Sequence, residues 1–194
     1  MDLSSAHLRA RLQDREPWLV PAGERTRYAA TAAILRYEPE PEILFIRRTE
    51  VPEDPWSGQM AFPGGRQDGD DADLIATAVR ETREEVGIDL TVSADLLGRL
   101  DDVQATARAR RLDLVIVPHV FVLHQPVTIR PNEAEVDEAH WAALRPMILG
   151  QTTTTQHWVH DGHDLDLPGY QVAHRVVWGL TYRQLQLLFA LIRD

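Results

Sequence analysis

Three glutamates lie at spacings that an α-helix would place on one side. Glu81, Glu84 and Glu85 are spaced i, i+3 and i+4, and residues three or four apart are neighbours on a helix surface. Like charges at these spacings destabilise a bare helix by roughly 0.2–0.5 kcal/mol per pair. Carboxylate oxygens are, however, the ligands that Mg²⁺ and Mn²⁺ prefer. The spacing therefore predicts a metal site, and the alternative is a solvated charged face that carries an Arg80–Glu84 ion pair.

A helix over residues 72–86 is predicted to position these carboxylates. Asp70 or Asp71 suits the N-cap, and Gly87 suits the left-handed residue that follows a helix. An apolar stripe on a neighbouring face can dock on a core while the acids face a cleft. The members of this stripe are Ile75, Ala78, Val79, Thr82 and Val86.

A glycine pair precedes the helix. The segment Phe62-Pro63-Gly64-Gly65 is expected to end any strand before it. Two residues without a Cβ atom let the backbone approach a ligand or metal closely. The order along the chain is then strand, glycine loop and acidic helix.

This unit resembles the signature of the Nudix hydrolase family. Residues Arg80 to Ile88 match the core of the family signature, which reads arginine, glutamate, apolar, any, glutamate, glutamate, any, glycine and apolar. Thr82 stands at the first apolar position as a polar substitute. The glutamate that usually follows the signature glycine by six residues is Asp71 here, and the spacing from it to Arg80 is one residue longer than usual. The resemblance implies a Nudix-type α/β/α sandwich with a mixed β-sheet.

A pattern upstream is similar to the coenzyme A pyrophosphatase branch of that family. Residues 58–65 match the pattern of that branch, which is a glycine, any three residues and then Phe-Pro-Gly-Gly. The branch has an arginine where Asp54 stands, and its Leu-Leu-Thr-x-Arg strand is matched loosely by residues 44–48. The resemblance implies hydrolysis of coenzyme A or an acyl derivative to 3′,5′-ADP and a 4′-phosphopantetheine.

The resemblance also implies roles for particular residues. The implied ligands of Mg²⁺ or Mn²⁺ are Glu81, Glu84, Glu85 and the backbone carbonyl of Gly65. Arg80 would hold the glutamates in place by an ion pair. The general base varies within the family, and the candidates here are Glu84, Glu133 and Glu135. The latter two also fit an ordinary loop acid.

Composition excludes several classes of function. There is no cysteine, so disulfides, thiolate metal sites and cysteine nucleophiles are excluded. A formal net charge of −10 argues against nucleic acid and acidic membranes as partners. No apolar run approaches the length of a membrane span, and the N-terminus lacks a signal-peptide core. We therefore expect a cytoplasmic monomer or homodimer that acts on a small-molecule diphosphate.

All 20 Lys and Arg positions are arginines, and arginine can bind phosphate in bidentate fashion. Because the chain has no lysine, Schiff-base chemistry is excluded. The densest basic cluster could bind a substrate phosphate such as the 3′-phosphate of coenzyme A, or could be a solvated loop. Its members are Arg108, Arg110 and Arg111. Arg47, Arg48 and Arg66 lie beside the signature and are alternative phosphate contacts, and a purely structural role is the other interpretation of each.

Other chemistries and substrates have weaker support. His157, His160 and His163 could form a zinc site, but no helical frame supports their spacing. No serine lies in a nucleophile-elbow setting. Hydrolysis of ADP-ribose or of dinucleoside polyphosphates is an alternative, although residues 89–112 lack the proline or tyrosine that often marks those members. A non-catalytic nucleotide-sensing module would be expected to have broken metal ligands.

Periodicity and turn residues predict the remaining elements of a single domain over residues 1–194. Residues 1–22 form a short helix and a connector, 64–88 are the signature, and 178–193 are an amphipathic helix. Strands are expected at 28–37, 42–48, 90–92, 96–103, 112–123 and 135–141, and a turn or helix at 143–147. Pro118 predicts an edge or bulge position. Residues 150–174 are expected to be irregular, with room for a hairpin.

Overall fold

The structure, a computed structural model, describes residues 1–52, 54–107, 110–160 and 162–193. The strands of the main sheet are β1 (Arg27–Arg36), β2 (Glu42–Arg48), β3 (Met60–Ala61), β4 (Gly64–Arg66), β5 (Ala94–Arg99), β6 (Val103–Ala107), β7 (Arg110–Leu123) and β8 (Val136–Ala143). A second sheet contains β9 (Thr153–His160), β10 (His163–Val172) and β11 (Arg175–Trp178). The helices are α1 (Ser5–Gln13), α2 (Leu74–Val86), α3 (Leu90–Ser93), α4 (Leu144–Ile148) and α5 (Gly179–Arg193).

The main sheet is mixed and has helices on both faces. Strand β1 pairs in parallel with β7 and antiparallel with β2 and β4. Successive side chains of a strand point to opposite faces. Ala32 and Ile34 accordingly pack in the cluster with Ala78 of α2, whereas Leu35 packs in the cluster with Leu185 of α5. The predicted α/β/α sandwich and the β1–β2 hairpin are confirmed.

Helix α2 begins later than predicted. Asp73 is its N-cap, because its carboxylate accepts a hydrogen bond from the Ala76 N–H at 2.8 Å. The predicted cap at Asp70 or Asp71 is therefore wrong. Gly87 follows the helix with a φ of 71°, as predicted. Ile75 is 37% exposed and lies outside the buried stripe.

Three further local predictions are wrong. Residues 90–92 form a helical turn, because Asp89 caps the Thr91 N–H at 3.0 Å. The segment 96–103 is divided between β5 and β6. Strand β3 ends at Ala61, before the glycine pair, as predicted, but Gly64 and Gly65 lie within β4 and not in a loop. A Cβ on Gly64 would be 2.2 Å from the Ala30 carbonyl oxygen. The glycine pair thus allows a strand pairing that bulkier residues would prevent.

Pro118 lies in a central strand and not at an edge. Strand β7 has β1 on one side and β5 and β6 on the other. Pro118 falls where the antiparallel partner changes from β5 to β6, and its carbonyl accepts from the Leu100 N–H at 2.9 Å. A break between two ladders tolerates a residue without an N–H.

Residues 150–174 lie mostly in strands and are not irregular as predicted, and they include the hairpin for which the prediction left room. Strands β9, β10 and β11 form a three-stranded antiparallel sheet. The following helix α5 matches its prediction to within one residue. Within the described residues, no helix is long and apolar enough to cross a bilayer. The single-domain boundaries, the cytoplasmic location and the oligomeric state stay predictions.

Candidate active site

A cavity of about 540 Å³ lies between β4, α2 and the start of α5. Four carboxylates line it, those of Asp54 and three glutamates, and the glutamates come from two distant parts of the chain. Glu81, Glu85 and Glu135 each offer an oxygen, and these oxygens lie within 4.8 Å of one another. Such a cluster of oxygen donors is suited to a hard divalent cation.

Glu85 is the most buried of these acids, with 2% of its surface exposed. Its Oε2 accepts a hydrogen bond from the Gly64 N–H at 2.8 Å. Burial raises the pKa of this carboxyl to about 8, although that hydrogen bond and Arg48 oppose the shift. A buried carboxylate is costly unless a positive charge compensates it. The position therefore favours a bound cation.

Glu81 packs directly against the glycine strand. A Cβ atom on Gly65 would lie 2.4 Å from the carboxyl carbon of Glu81, so only glycine leaves room for this carboxylate. Burial also raises the pKa of Glu81. The Gly65 backbone therefore lies directly against one of the acids, and its predicted role as a metal ligand stays a prediction.

Glu135 reaches the cluster from the turn before β8. Asn132 shapes this turn, since its carbonyl accepts from the Glu135 N–H at 2.8 Å and its side-chain amide donates to Glu135 Oε1 at 3.1 Å. Glu133 in the same turn is exposed and does not line the cavity. Of the two loop acids considered from the sequence, the structure brings one to the site.

Arg80 is the centre of an ion-pair network behind the cavity. Its guanidinium donates to Asp71 through Nε and Nη2, both at 2.9 Å. Its Nη1 donates to Glu81 at 2.9 Å and to Glu84 at 3.0 Å. Arg80 holds the pKa of Asp71 well below its usual range. Asp71, which the sequence marked as a departure from the family pattern, thus fixes the arginine that orients the glutamates.

Glu84 lies apart from the three-carboxylate cluster. Its side chain is 47% exposed, it does not line the cavity, and it accepts from Arg80. Helical spacing alone placed Glu81, Glu84 and Glu85 together. The packing of α2 turns Glu81 and Glu85 inward and leaves Glu84 on the side that faces Arg80.

The arginines considered as phosphate ligands fall into two groups. Arg48 and Arg66 line the cavity, and Arg48 also donates to Asp54 at 2.7 Å. Arg47 points elsewhere, into ion pairs with Asp137 and Glu50. Arg108 lies outside the described residues, and two arginines are exposed at the start of β7 without lining the cavity. These two are Arg110 and Arg111.

The histidine segment lies on the second sheet. The ring of His157 contacts the carboxylates of Asp164 at 3.2 Å and Asp166 at 3.3 Å. His160 and His163 are register partners on β9 and β10, and the side chain of His160 lies outside the described part. The described contacts of the His157 ring are thus with carboxylates.

Comparison with known proteins places this geometry in a family. A family model described as the NUDIX domain matches residues 27–160. An uncharacterized protein of Schizosaccharomyces pombe is 39% identical over 116 residues, which are 59% of this chain and 35% of that protein. The mitochondrial coenzyme A diphosphatase NUDT8 of Mus musculus is 34% identical over 145 residues, which are 73% of this chain and 66% of that protein. The chain thus matches between about a third and two thirds of the length of these relatives.

Solved structures share the fold. A MutT/nudix family protein from Enterococcus faecalis superposes with a TM-score of 0.54 at 16% identity, over 98% of this chain and 68% of that chain. A likeness at this identity concerns the fold alone. It confirms the expected Nudix-type sandwich with a mixed sheet.

Proposed function

The chain belongs to the Nudix hydrolase family, and we propose that it hydrolyses the diphosphate linkage of coenzyme A or an acyl-coenzyme A. A water oxygen would attack one phosphorus while the bond from that phosphorus to the bridging oxygen breaks. The products would be 3′,5′-ADP and 4′-phosphopantetheine, or its acyl derivative. The observation that carries the proposal is the cluster of Glu81, Glu85 and Glu135 in a cavity that arginines also line. The similarity to a coenzyme A diphosphatase supports this choice of substrate.

The donor set fits Mg²⁺ or Mn²⁺. Three carboxylate oxygens converge, and burial makes two of these carboxylates costly to ionise without a nearby cation. Glu81, Glu85 and Glu135 would hold the ion, together with the carbonyl of Gly65. Such an ion would neutralise diphosphate oxygens and lower the pKa of a bound water. Glu84 would join these ligands only by leaving Arg80.

The chain's own side chains would bind the substrate and move the proton. Arg48 and Arg66 line the cavity and can donate to phosphate oxygens. Arg80 would act as a positioning residue, because it fixes Glu81 while Asp71 fixes it. Glu135 is our first choice for the base that accepts the proton of the attacking water, since it lies in the cavity. Glu84 is the second choice.

A panel of diphosphates with Mg²⁺ and with Mn²⁺ tests the substrate. We expect cleavage of coenzyme A into two phosphomonoesters, and slower cleavage of ADP-ribose and dinucleoside polyphosphates. Chromatography of the products measures these rates. Cleavage of ADP-ribose with no cleavage of coenzyme A would reject the proposed substrate. No turnover of any member would instead support a nucleotide-sensing module.

Two neighbouring acids provide a matched test of the site. The Glu135→Gln variant should lose most of its turnover, because it removes a carboxylate from the cluster. The Glu133→Gln variant should keep the parent's rate, because Glu133 does not line the cavity. Equal rates for the two variants would exclude Glu135 from the mechanism. Glu84→Gln, measured alongside, tests the second candidate base.

A further inference from the structure

A second cavity of about 480 Å³ adjoins the first. The two cavities share Pro55, Trp56, Gln59 and Leu180 in their walls, so they lie side by side. The acidic cluster lies in the first cavity. A substrate that is cleaved there has an end that can extend into the second cavity.

Aromatic side chains dominate the second cavity. Trp158 and Trp178 lie with ring centroids 6.1 Å apart at an angle of 46°, and Trp56 lies at the junction with the first cavity. The Nε1 of Trp56 donates to the Thr106 carbonyl at 3.2 Å, which fixes the orientation of its indole. Nucleic-acid bases stack on aromatic side chains whatever their identity, because every base has a flat π-face. These walls are suited to a flat heterocycle.

The charge of this cavity is opposite to that of the first. In the described ranges, no Asp or Glu lines it, whereas Arg183 does. The described contact of Arg183 is a weak one, from its Nη1 to the Gln104 carbonyl at 3.4 Å. On β10, Leu165 and Leu167 line the cavity, whereas Asp166 contacts His157. In a chain of net charge −10, this local positive charge favours an anion.

A second arginine borders the same wall. Arg110 is the register partner of Ala107, which lines the cavity, so the two side chains lie on one face of the β6–β7 hairpin. Arg110, a member of the basic cluster noticed in the sequence, therefore lies beside a residue that lines this cavity. Arg183 comes from a distant part of the chain.

We propose that the second cavity binds the 3′-phosphoadenosine end of the substrate. The adenine would lie among the three tryptophans, and the 3′-phosphate would contact Arg183, with Arg110 beside it. This assignment rests on the proposed hydrolysis of coenzyme A. An acyl chain or the pantetheine arm is a poorer occupant, because neither carries a charge that would satisfy Arg183.

Product binding tests the assignment without turnover. The probes are 3′,5′-ADP and 5′-AMP, and their binding is measured by tryptophan fluorescence and by calorimetry. The parent should bind 3′,5′-ADP roughly tenfold or more tightly than 5′-AMP, as expected for a charge-assisted hydrogen bond. The Arg183→Gln variant should bind both alike. Arg193→Gln is the matched control on the same helix, since Arg193 lines neither cavity, and it should keep the preference.

The outcomes separate this assignment from the proposed hydrolysis. If coenzyme A is cleaved but Arg183→Gln keeps the parent's preference for coenzyme A over dephospho-coenzyme A, the subsite is wrong and the hydrolase stands. If neither is cleaved but the binding preference depends on Arg183, the subsite stands alone. A different result would overturn the proposal and assign the cavity to the acyl end. In that result, the affinity for acyl-coenzyme A rises with the length of the acyl chain, and the Leu167→Asp variant loses this dependence.

Discussion

Replacing Gly65 by alanine should displace a carboxylate while leaving the fold intact. The added Cβ would lie 2.4 Å from the Glu81 carboxyl carbon and 2.5 Å from both of its oxygens. Carbon atoms attract one another at about 3.5–4.0 Å, so the carboxylate must move by about 1 Å. The atoms in conflict are at the free end of a side chain, and β4 itself can keep its pairing with β1.

Gly65→Ala should lower the catalytic activity strongly and the stability of the fold only slightly. A misplacement of about 1 Å in a catalytic arrangement can lower the rate about 100-fold, which corresponds to about 2.7 kcal/mol of transition-state stabilisation. We expect kcat/KM for coenzyme A to fall by about that factor and Mn²⁺ affinity, measured by calorimetry, to fall with it. The midpoint of urea unfolding should change little, because the shifted group is not part of the apolar core.

A second glycine in the same segment is the control. A Cβ on Gly69 would have no heavy atom within 4 Å, so Gly69→Ala should behave as the parent does in both assays. Full activity and unchanged Mn²⁺ affinity in Gly65→Ala would refute the reasoning, because the clash would then have been relieved without moving Glu81. A loss of folding in Gly65→Ala would refute it as well.

Three further predictions concern stability. Gly64→Ala should prevent folding, because the added Cβ would lie 2.2 Å from a backbone oxygen of β1 and the φ of Gly64 is 149°. Circular dichroism of the purified variant checks this prediction. Asp71→Asn should lower the free energy of unfolding by about 1–2 kcal/mol, because it weakens the hydrogen bonds to Arg80, and Asp71→Glu should restore part of it in urea titrations. Burial lowers the pKa of His119 from 6.5 to about 4. The unfolded chain therefore takes up a proton below pH 6.5 that the folded protein does not bind, so the contribution of His119 to stability should fall by about 2 kcal/mol between pH 7 and 5. The difference in unfolding free energy between the parent and His119→Gln should change by that amount across this range, whereas the difference between the parent and His124→Gln, an exposed control, should not.

The local parts of the site could be predicted from the sequence. Helix α2, its end at Gly87 and the Arg80–Glu84 pair depend on contacts within a few residues, where helical spacing fixes which side chains are neighbours. The cap was misjudged, because Asp71 has the right residue type but is engaged by Arg80 across the turn. The sequence suggested that acid as a cap and as a departure from the family pattern, but not as the partner of Arg80.

What the sequence by itself determined is the chemistry available: a helix that carries clustered acids, glycines that let the backbone come close, and arginines as its only basic side chains. Tertiary structure decided which of these groups meet. Glu135 joins Glu81 and Glu85 because the turn before β8 folds back onto α2, whereas Glu84 is held outside. Arg183 lies beside tryptophans from other elements for the same reason. Helical periodicity fixes angles within one element, but the pairing of strands and the docking of helices bring distant residues together, and no spacing in the sequence encodes those distances.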